Sequence, residues 1–312
     1  MAENQPTMGT RLADVLVAAL LGAVAAVSAR SFAAYPSISA DEGIYTGQAW
    51  AVVRGSLAPY TYVYDHPPLG WIELAPLLWL SEAVDWSDSA VMSARTGPAL
   101  FLIADAVLLH LLARRLGTGR VLAAGAVLAF LLSPLTREFL FRVHLDNLAL
   151  PWVLGAFVVA LDARRPRRQQ VLSAALMAVA VLVKESALLL YPALVLTVVC
   201  GTVPGRRRAA AVRNGLVLAA AGACYPLFAL LRGEPIAFAK ALGWQLLARE
   251  GSGSILDPGS GRYATVLGWC ERDPLLCAAG VAAAVFLLAG RWRHRSPCRP
   301  TPAPPAGSPS AR

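Results

Sequence analysis

The chain has 312 residues, a net charge of +9, 57% hydrophobic residues and a mean hydropathy of +0.55. Soluble domains are roughly 45–50% apolar and about 25% charged, whereas here only 15% of residues are charged, and they cluster between long apolar runs. That pattern excludes an ordinary soluble domain. It also excludes a nucleic-acid-binding face, because no basic stripe is interleaved with aromatics.

Taken in chain order, a short tail (1–11) precedes the first apolar run, Leu12 to about Tyr35. Val27-Ser28-Ala29 has the look of a signal-peptidase site, but the run continues beyond it and only Arg11 precedes it. An uncleaved first helix is expected. Pro36–Met92 is mixed and carries Asp41, Glu42, Asp65, His66, Asp85 and Asp88. Within it Pro67–Val84 is apolar but broken by Glu73, Pro76 and Glu82. Apolar runs follow at about 93–112, 121–135, 147–161, 171–183, 186–203, 214–231 and 275–290. The tail, 291–312, is rich in Pro, Ser and Arg and is predicted to be disordered.

The charges predict the topology. Basic clusters stand at Arg114–Arg120, Arg164–Arg168, Arg206–Arg213 and Arg291–Arg295. If all four are cytoplasmic together with the N-terminus, an even number of crossings separates each from the next. Only two crossings then fit before Arg114, so 12–35 and 93–112 span, while Pro67–Val84 lies along the outer interface. The inner side so defined holds 17 Lys and Arg but only Glu3, Asp14 and Asp162 as acids; the rest of the chain holds 11 bases and 16 acids. The expectation is an all-α integral membrane protein of about eight transmembrane helices over 12–290, with both termini inside. Its outer loops are 36–92, with a juxtamembrane helix, and 232–274. The runs 171–183 and 186–203 are short for a full span and read as a half-buried hairpin.

Cysteine usage is sparse. Cys200 and Cys224 lie in apolar runs and read as small core residues. Cys270 and Cys277 fall in or beside the second outer loop, where they either form a disulfide or remain unrelated thiols. No metal-ligand spacing is present.

Five polar groups remain on the outer side. Asp41-Glu42 reads either as a solvated or capping pair at a helix start, or as a carboxylate poised as general base. Tyr60-Thr61-Tyr62-Val63-Tyr64-Asp65-His66-Pro67-Pro68 reads as a turn before a helix. Arg95 opens the second spanning helix. Arg137-Glu138, Arg142, His144 and Asp146 lie in a short outer turn. Lys184-Glu185 sits at the apex of the hairpin, and Lys184, one of only two lysines, is a functional candidate because ionisable groups near a membrane are costly. Its bland alternative is an internal pair with Glu185 or Asp146. Asp105, mid-helix, reads as a structural acid rather than part of a pathway. Carboxylates beside Arg, Lys and His suit a site that activates a hydroxyl and holds a phosphate.

The order of these groups resembles the GT-C glycosyltransferases, and within them the protein O-mannosyltransferase and aminoarabinose-transferase branch. Asp41-Glu42-Gly43-Ile44-Tyr45, with Gly55, Pro59-Tyr60 and Asp65-His66-Pro67-Pro68-Leu69, is similar to that group's first outer loop. Ser89–Pro98 with Arg95 resembles its arginine segment, Arg142 with Leu145-Asp146 its Arg…Leu-Asp motif, and Lys184 its lysine after a small-residue helix. The resemblance covers residues 12–200; relatives usually continue further, and 232–274 carries no matching motif.

The resemblance implies a GT-C-like bundle and transfer of a sugar, with inversion, from a polyprenyl-phosphate donor to an acceptor hydroxyl on a protein, glycan or lipid. It implies Asp41 as catalytic base. Arg95, Arg142 and Lys184 become candidates to hold the phosphate, while Glu42, Asp65, His66 and Asp146 shape the site or bind sugar. The sequence requires no cofactor and leaves a divalent metal open. Membrane lipids are expected partners and nucleic acid is not. A lipid-linked sugar carrier, or a non-catalytic partner that keeps the fold, are the alternatives.

Overall fold

A computed structural model describes residues 8–29, 37–56, 64–83, 87–162, 167–248, 251 and 253–293. The expectations for Tyr60–Val63, Asp85, Arg164-Arg165 and the tail from 294 onward lie outside these residues. Among the described residues the regular structure is entirely helical, in keeping with an all-α chain.

Helix α1 (Met8–Ala29) is followed by α2 (Ala40–Val53), α3 (Leu69–Ala83), α4 (Ala90–Ala94) and α5 (Thr96–Arg115). Then come α6 (Arg120–Leu132), α7 (Pro134–Phe139), α8 (Leu145–Ala160) and α9 (Arg167–Val183). A 3₁₀ turn over Glu185–Leu190 leads into α10 (Tyr191–Cys200), and a second, Pro204–Arg206, into α11 (Arg207–Leu231). Helix α12 (Pro235–Gly243) ends in a π turn, Trp244–Ala248, before α13 (Gly261–Arg272) and α14 (Pro274–Arg293).

Local chemistry sets the starts that matter for the site. Helix α2 begins at a capping box: the Ser39 hydroxyl accepts from Glu42 N, and the Glu42 carboxylate accepts from Ser39 N. Ser89 caps α4 in the simpler way, accepting from Met92 N. Lys184, in extended backbone (φ −148°, ψ 116°), interrupts α9 and the 3₁₀ turn, so the expected apex is a break between helical segments.

Two cores organise the bundle. The larger draws on α2, α3 and α8 through α11, with Trp71, Leu74, Leu78, Leu145, Leu148, Met177 and Leu194 at its centre. The smaller joins α1, α5 and α6 through Leu21, Ala25, Leu102, Ala106, Val127 and Leu131, with Phe141. Outside these cores many large apolar side chains are exposed, among them Leu16, Leu20, Val121, Leu122 and Leu231, and such a surface needs an apolar neighbour. Among the described residues two helical stretches are long and apolar enough to cross a membrane, Ala90–Arg115 and Pro204–Leu231.

The structure adds detail where the sequence reading was plain. Helix α3, expected along an interface, packs one face into the larger core, with Trp71, Leu74 and Leu78 at most 1% exposed, and leaves Ile72, Trp79 and Leu80 exposed on the other. Its entry is permitted by Gly70: a Cβ there would stand 2.6 Å from Leu145 Cδ2 and 3.2 Å from the Val183 carbonyl oxygen. That approach brings the His66-Pro67-Pro68 turn to the end of α9. The turn expected around Arg137 contains α7, and the segment 232–274 is largely helical.

Candidate functional site

The site rests on a buried ion pair. Glu42 and Arg95 are both fully buried, and Arg95 grips the carboxylate with two hydrogen bonds, Nε to Oε1 at 2.8 Å and Nη2 to Oε2 at 2.9 Å. The same carboxylate accepts from Ser39 N at 3.1 Å and Val143 N at 3.0 Å, and Arg95 Nη2 also donates to the Ser37 carbonyl at 2.8 Å. One carboxylate thus ties together the start of α2, the α4–α5 junction and the segment before α8. Burial works to raise the Glu42 carboxyl, but Arg95 and the two backbone N–H groups outweigh it and hold it below the ordinary glutamate range. The pair satisfies itself, as a buried charge must.

Asp41, one residue earlier in the first turn of α2, is exposed, and among the described residues no hydrogen bond or ion pair engages its carboxylate. It faces Tyr45, one turn along the same helix. The Tyr45 phenol is buried at 6% exposure. Burial, followed by the charges of Asp41, Asp65, Asp146 and Glu185, pushes its ionisation well above the ordinary value. Four carboxylates from four stretches of chain therefore act electrostatically on one phenol. His144 stands on the same rim, its Nε2 3.3 Å from the Ser39 hydroxyl. Its pKa is lowered, first by burial and also by Arg142, against the opposing pull of Glu42, Asp41 and Asp146.

The cations lie among these acids. Lys184 Nζ is 3.1 Å from His66 Nε2 and 3.9 Å from Glu185 Oε1, and His66 Nδ1 is 3.0 Å from both Glu185 oxygens. A lysine ammonium only donates, so Nε2 accepts and Nδ1 carries the hydrogen that goes to Glu185. The result is a relay from Lys184 through His66 to Glu185. Burial raises the Glu185 carboxyl, but the hydrogen bond from His66, with the Lys184 charge, holds it below its ordinary value. Asp146 Oδ1 accepts from the Ser186 hydroxyl at 3.1 Å. The Arg142 guanidinium lies over the Phe139 ring, with Nη2 3.8 Å from the Glu138 carboxylate and Nε donating to the Glu138 carbonyl at 3.3 Å.

The C-terminal helices reach over this rim. Tyr64 adopts a left-handed backbone (φ 57°), uncommon for an aromatic residue, and its hydroxyl donates to Glu234, which Arg232 also holds at 3.0 Å. Its ring packs against Tyr225, Phe228 and Phe238. The Tyr225 hydroxyl donates to the His66 carbonyl at 2.9 Å, and Gln245 Nε2 to the Asp65 carbonyl at 3.1 Å.

No family model, characterised protein or solved structure matches the chain. The geometry must therefore carry the functional argument.

Of the residues singled out from sequence, Asp41, Asp65, His66, Arg142, Asp146 and Lys184 come together around Tyr45 and His144. Glu42 and Arg95 belong to the same assembly but have no exposed surface. Lys184 combines both sequence readings, an internal partner in Glu185 and a position in the cluster. Asp105 is buried at 2% exposure and apart from this rim, with Oδ1 unpartnered. Tyr45, His144 and Glu185 stand in the polar groups and stretches named from the sequence but were given no site role there. Tyr45 follows Asp41 by one helical turn and the other two adjoin chosen residues, so spacing held a signal for them. Nothing in the sequence pointed to Tyr225, Glu234 or Gln245. Among the described residues no group of three or more His, Cys, Asp and Glu is arranged to hold a metal ion.

Proposed function

We propose that the chain is a multi-pass membrane glycosyltransferase that moves a sugar from a polyprenyl-phosphate donor to an acceptor hydroxyl on the extracytoplasmic face. The observation that carries this reading is the exposed, unpaired Asp41 carboxylate beside a fully buried Glu42–Arg95 pair, with Arg142 and Lys184 in the same cluster. A general base needs a carboxylate free to accept a proton, on a support that does not move. In this reading Asp41 takes the proton of the acceptor hydroxyl as that oxygen attacks the anomeric carbon. The bond from carbon to phosphate oxygen breaks with its electron pair, and polyprenyl phosphate leaves as an anion. Arg142 and Lys184 neutralise that developing charge. Arg95 and Glu42 act from beneath, as a buttress, while Asp65, His66 and Asp146 line the sugar side.

The proposed topology has about eight crossings with both termini inside. It draws on the charge asymmetry of the sequence, on the apolar exterior of the bundle and on the two long apolar helices. Cysteine labelling at Thr118 checks it: an impermeant reagent should reach that position only after permeabilisation.

The direct test is single-turnover transfer from a polyprenyl-phosphate sugar. Asp41→Asn should retain donor binding and lose about 10²–10⁴-fold in rate, while Glu42→Gln, if folded, should lose less. Wild-type rates in a folded Asp41→Asn protein would end the assignment. A second reading, a lipid-linked sugar carrier, is favoured by Asp105 and His110. Both are buried in α5, and among the described residues neither the Asp105 Oδ1 nor either His110 ring nitrogen has a partner, as groups lining a path through a bilayer would present. A carrier gives no transfer even in the wild type.

A further inference from the structure

The elbow between α13 and α14 meets the end of α6 and α7, and together they line a groove of about 250 Å³. One wall is Phe130, Leu135, Phe139 and Leu140. The other is Trp269, on the last turn of α13, and Leu276, at the start of α14. Thr136 is the polar member of the lining and is itself buried at 6% exposure. Buried polar ties set the width of the groove. Asp273 (φ −140°, ψ 73°) breaks the helical path between α13 and α14 and is only 4% exposed. Its carboxylate accepts from the Ser133 hydroxyl, which also caps α7, and from Leu276 N at 2.9 Å. Its own N–H donates to the Trp269 carbonyl at 2.9 Å. Both residues of the second wall are thus anchored to the residue that meets α7. The side chains of Trp269 and Leu276 are exposed, so the groove is open along that wall. A cation stands on the opposite one: Phe139 carries the Arg142 guanidinium over its ring, 5.4 Å from the centroid. Glu138 is nearer to Arg272, at 2.8 Å, than to Arg142, at 3.8 Å. The longer of its contacts is the one that an anion at Arg142 displaces.

We infer that this groove seats the hydrocarbon chain of the lipid-phosphate donor at its phosphate end, with the phosphate on Arg142. The inference rests on the donor class proposed above and adds where the chain lies. Ligand and groove match in order: an anion joined to an apolar chain meets a cation joined to apolar walls. A guanidinium donates to a phosphate through two parallel hydrogen bonds, and Phe139 ties that guanidinium to the groove. A volume of about 250 Å³ is below the roughly 300–1,000 Å³ of pockets that enclose a drug-sized ligand. The groove therefore holds a stretch of one chain and leaves the remainder to the bilayer. Apolar walls alone do not select a lipid, since lipid chains are as apolar as the side chains that line them. Selection comes from Arg142, which belongs to the cluster of the candidate site, so the headgroup held there is the one presented to that cluster.

The test uses the full chain in phosphatidylcholine nanodiscs. The probe is a polyprenyl phosphate, the leaving group of the proposed reaction, with a photoreactive diazirine in the isoprene unit next to the phosphate. The expected result is label on both walls, within 130–140 and 269–276. Excess unlabelled polyprenyl phosphate should remove it, and phosphatidylglycerol or polyprenol should not. Arg142→Gln should weaken this competed labelling about ten- to a hundredfold, the scale of hydrogen bonds to a charged group. Leu276→Trp, at an exposed position, should fill the groove and remove the label while thermal unfolding stays unchanged. Competed label elsewhere, for instance between α5 and α8, would overturn the groove and leave a lipid-phosphate donor standing. Groove label that polyprenol or phosphatidylglycerol removes equally well would overturn the groove as the donor's seat. Absence of competed label anywhere would overturn both readings. The expected labelling in a folded protein that transfers no sugar would keep the seat and end the transferase reading.

Discussion

Residues 37–200 and residues 207–293 are held in different ways. In α8 ten of sixteen residues are buried, whereas α11 buries only Ala210, Asn214 and Ala229 of its twenty-five, and α12 and α13 bury none. The first region carries its own core. The second packs on that core through a few apolar side chains, among them Ala210, Ala229, Tyr225 and Phe228, and several of its polar contacts land on the candidate site: Glu234 on Tyr64, Tyr225 on His66, Gln245 on Asp65. Burial decides what a substitution does. Damage in the first region should appear as lost stability, and damage in the second as a site that is folded but misplaced.

The strongest way to break this contrast is Arg95→Met. It removes one partner of a fully buried pair and leaves the Glu42 carboxylate with backbone donors alone, which should cost about 3–5 kcal/mol. Thermal unfolding in detergent measures it. The pH dependence sharpens the claim. The Glu42 carboxyl is held below its ordinary value of 4.5, so its contribution is complete above that value and is lost as pH falls through the lower, folded-state value. Wild-type stability should decline on acidification below 4.5, and that part of the decline should flatten in Arg95→Met. A small loss with an unchanged acid profile would mean that the first region does not depend on the pair.

Next in size is Gly70→Ala. The added methyl meets Leu145 Cδ2 at 2.6 Å and the Val183 carbonyl oxygen at 3.2 Å. The leucine can turn aside, but the backbone oxygen can move only with α9. Overpacking of this kind costs roughly 1–3 kcal/mol. It also moves the His66 turn away from Lys184, so loss of stability and loss of donor affinity should appear together. If α3 instead lies free along an interface, the methyl is tolerated in both measurements.

How far the site was legible depends on where its residues sit. Asp41 and Glu42 stood out as adjacent acids after an apolar run, Arg95 as a cation opening one, and Lys184 as an isolated lysine. All are charges in apolar surroundings, where each must have a partner or a purpose. Their division of labour was not legible. The capping box that turns Glu42 inward toward Arg95, and leaves Asp41 facing out, is a matter of helix phase that two adjacent letters do not display. The burial of α3 depends on the absent side chain of Gly70, which as a letter suggests only flexibility. The contributions of Tyr225, Glu234 and Gln245 cross 159, 170 and 180 residues of chain respectively, and no local pattern encodes contacts at such range. The all-helical class was legible because apolar run length alone carries it.

In the second region, Tyr64→Phe deletes the hydroxyl that reaches Glu234 and leaves the ring among Tyr225, Phe228 and Phe238. Glu234 keeps Arg232, so no buried charge is stranded and the fold should survive with little change. The positioning of Asp65 and His66 should loosen. Under the proposed reaction, donor KM should rise by roughly tenfold or less, the scale of one typical hydrogen bond of about 0.5–1.5 kcal/mol, while kcat holds. A drop in thermal stability as large as that of Arg95→Met would erase the distinction between the two regions.

The smallest expected effect is at Arg272→Gln. Arg272 is the exposed partner of Glu138, with 54% of its side chain open to solvent. Exposed ion pairs contribute about 0–1 kcal/mol and are weakened further by salt. The substitution should therefore shift thermal stability within that range, and raising ionic strength should shrink even this difference. Asp273, buried and bonded to Ser133 and Leu276 N, keeps the elbow in place without help from Arg272. What the substitution should change is Glu138, which then keeps Arg142 alone as an ionic partner among the described residues and can close its 3.8 Å gap. An Arg142 drawn toward Glu138 is less available to a phosphate. Donor affinity should fall modestly while stability stays level, and the fall should vanish at high salt. If stability falls instead and affinity is untouched, the C-terminal helices are held on by this ion pair and the elbow has no bearing on the site.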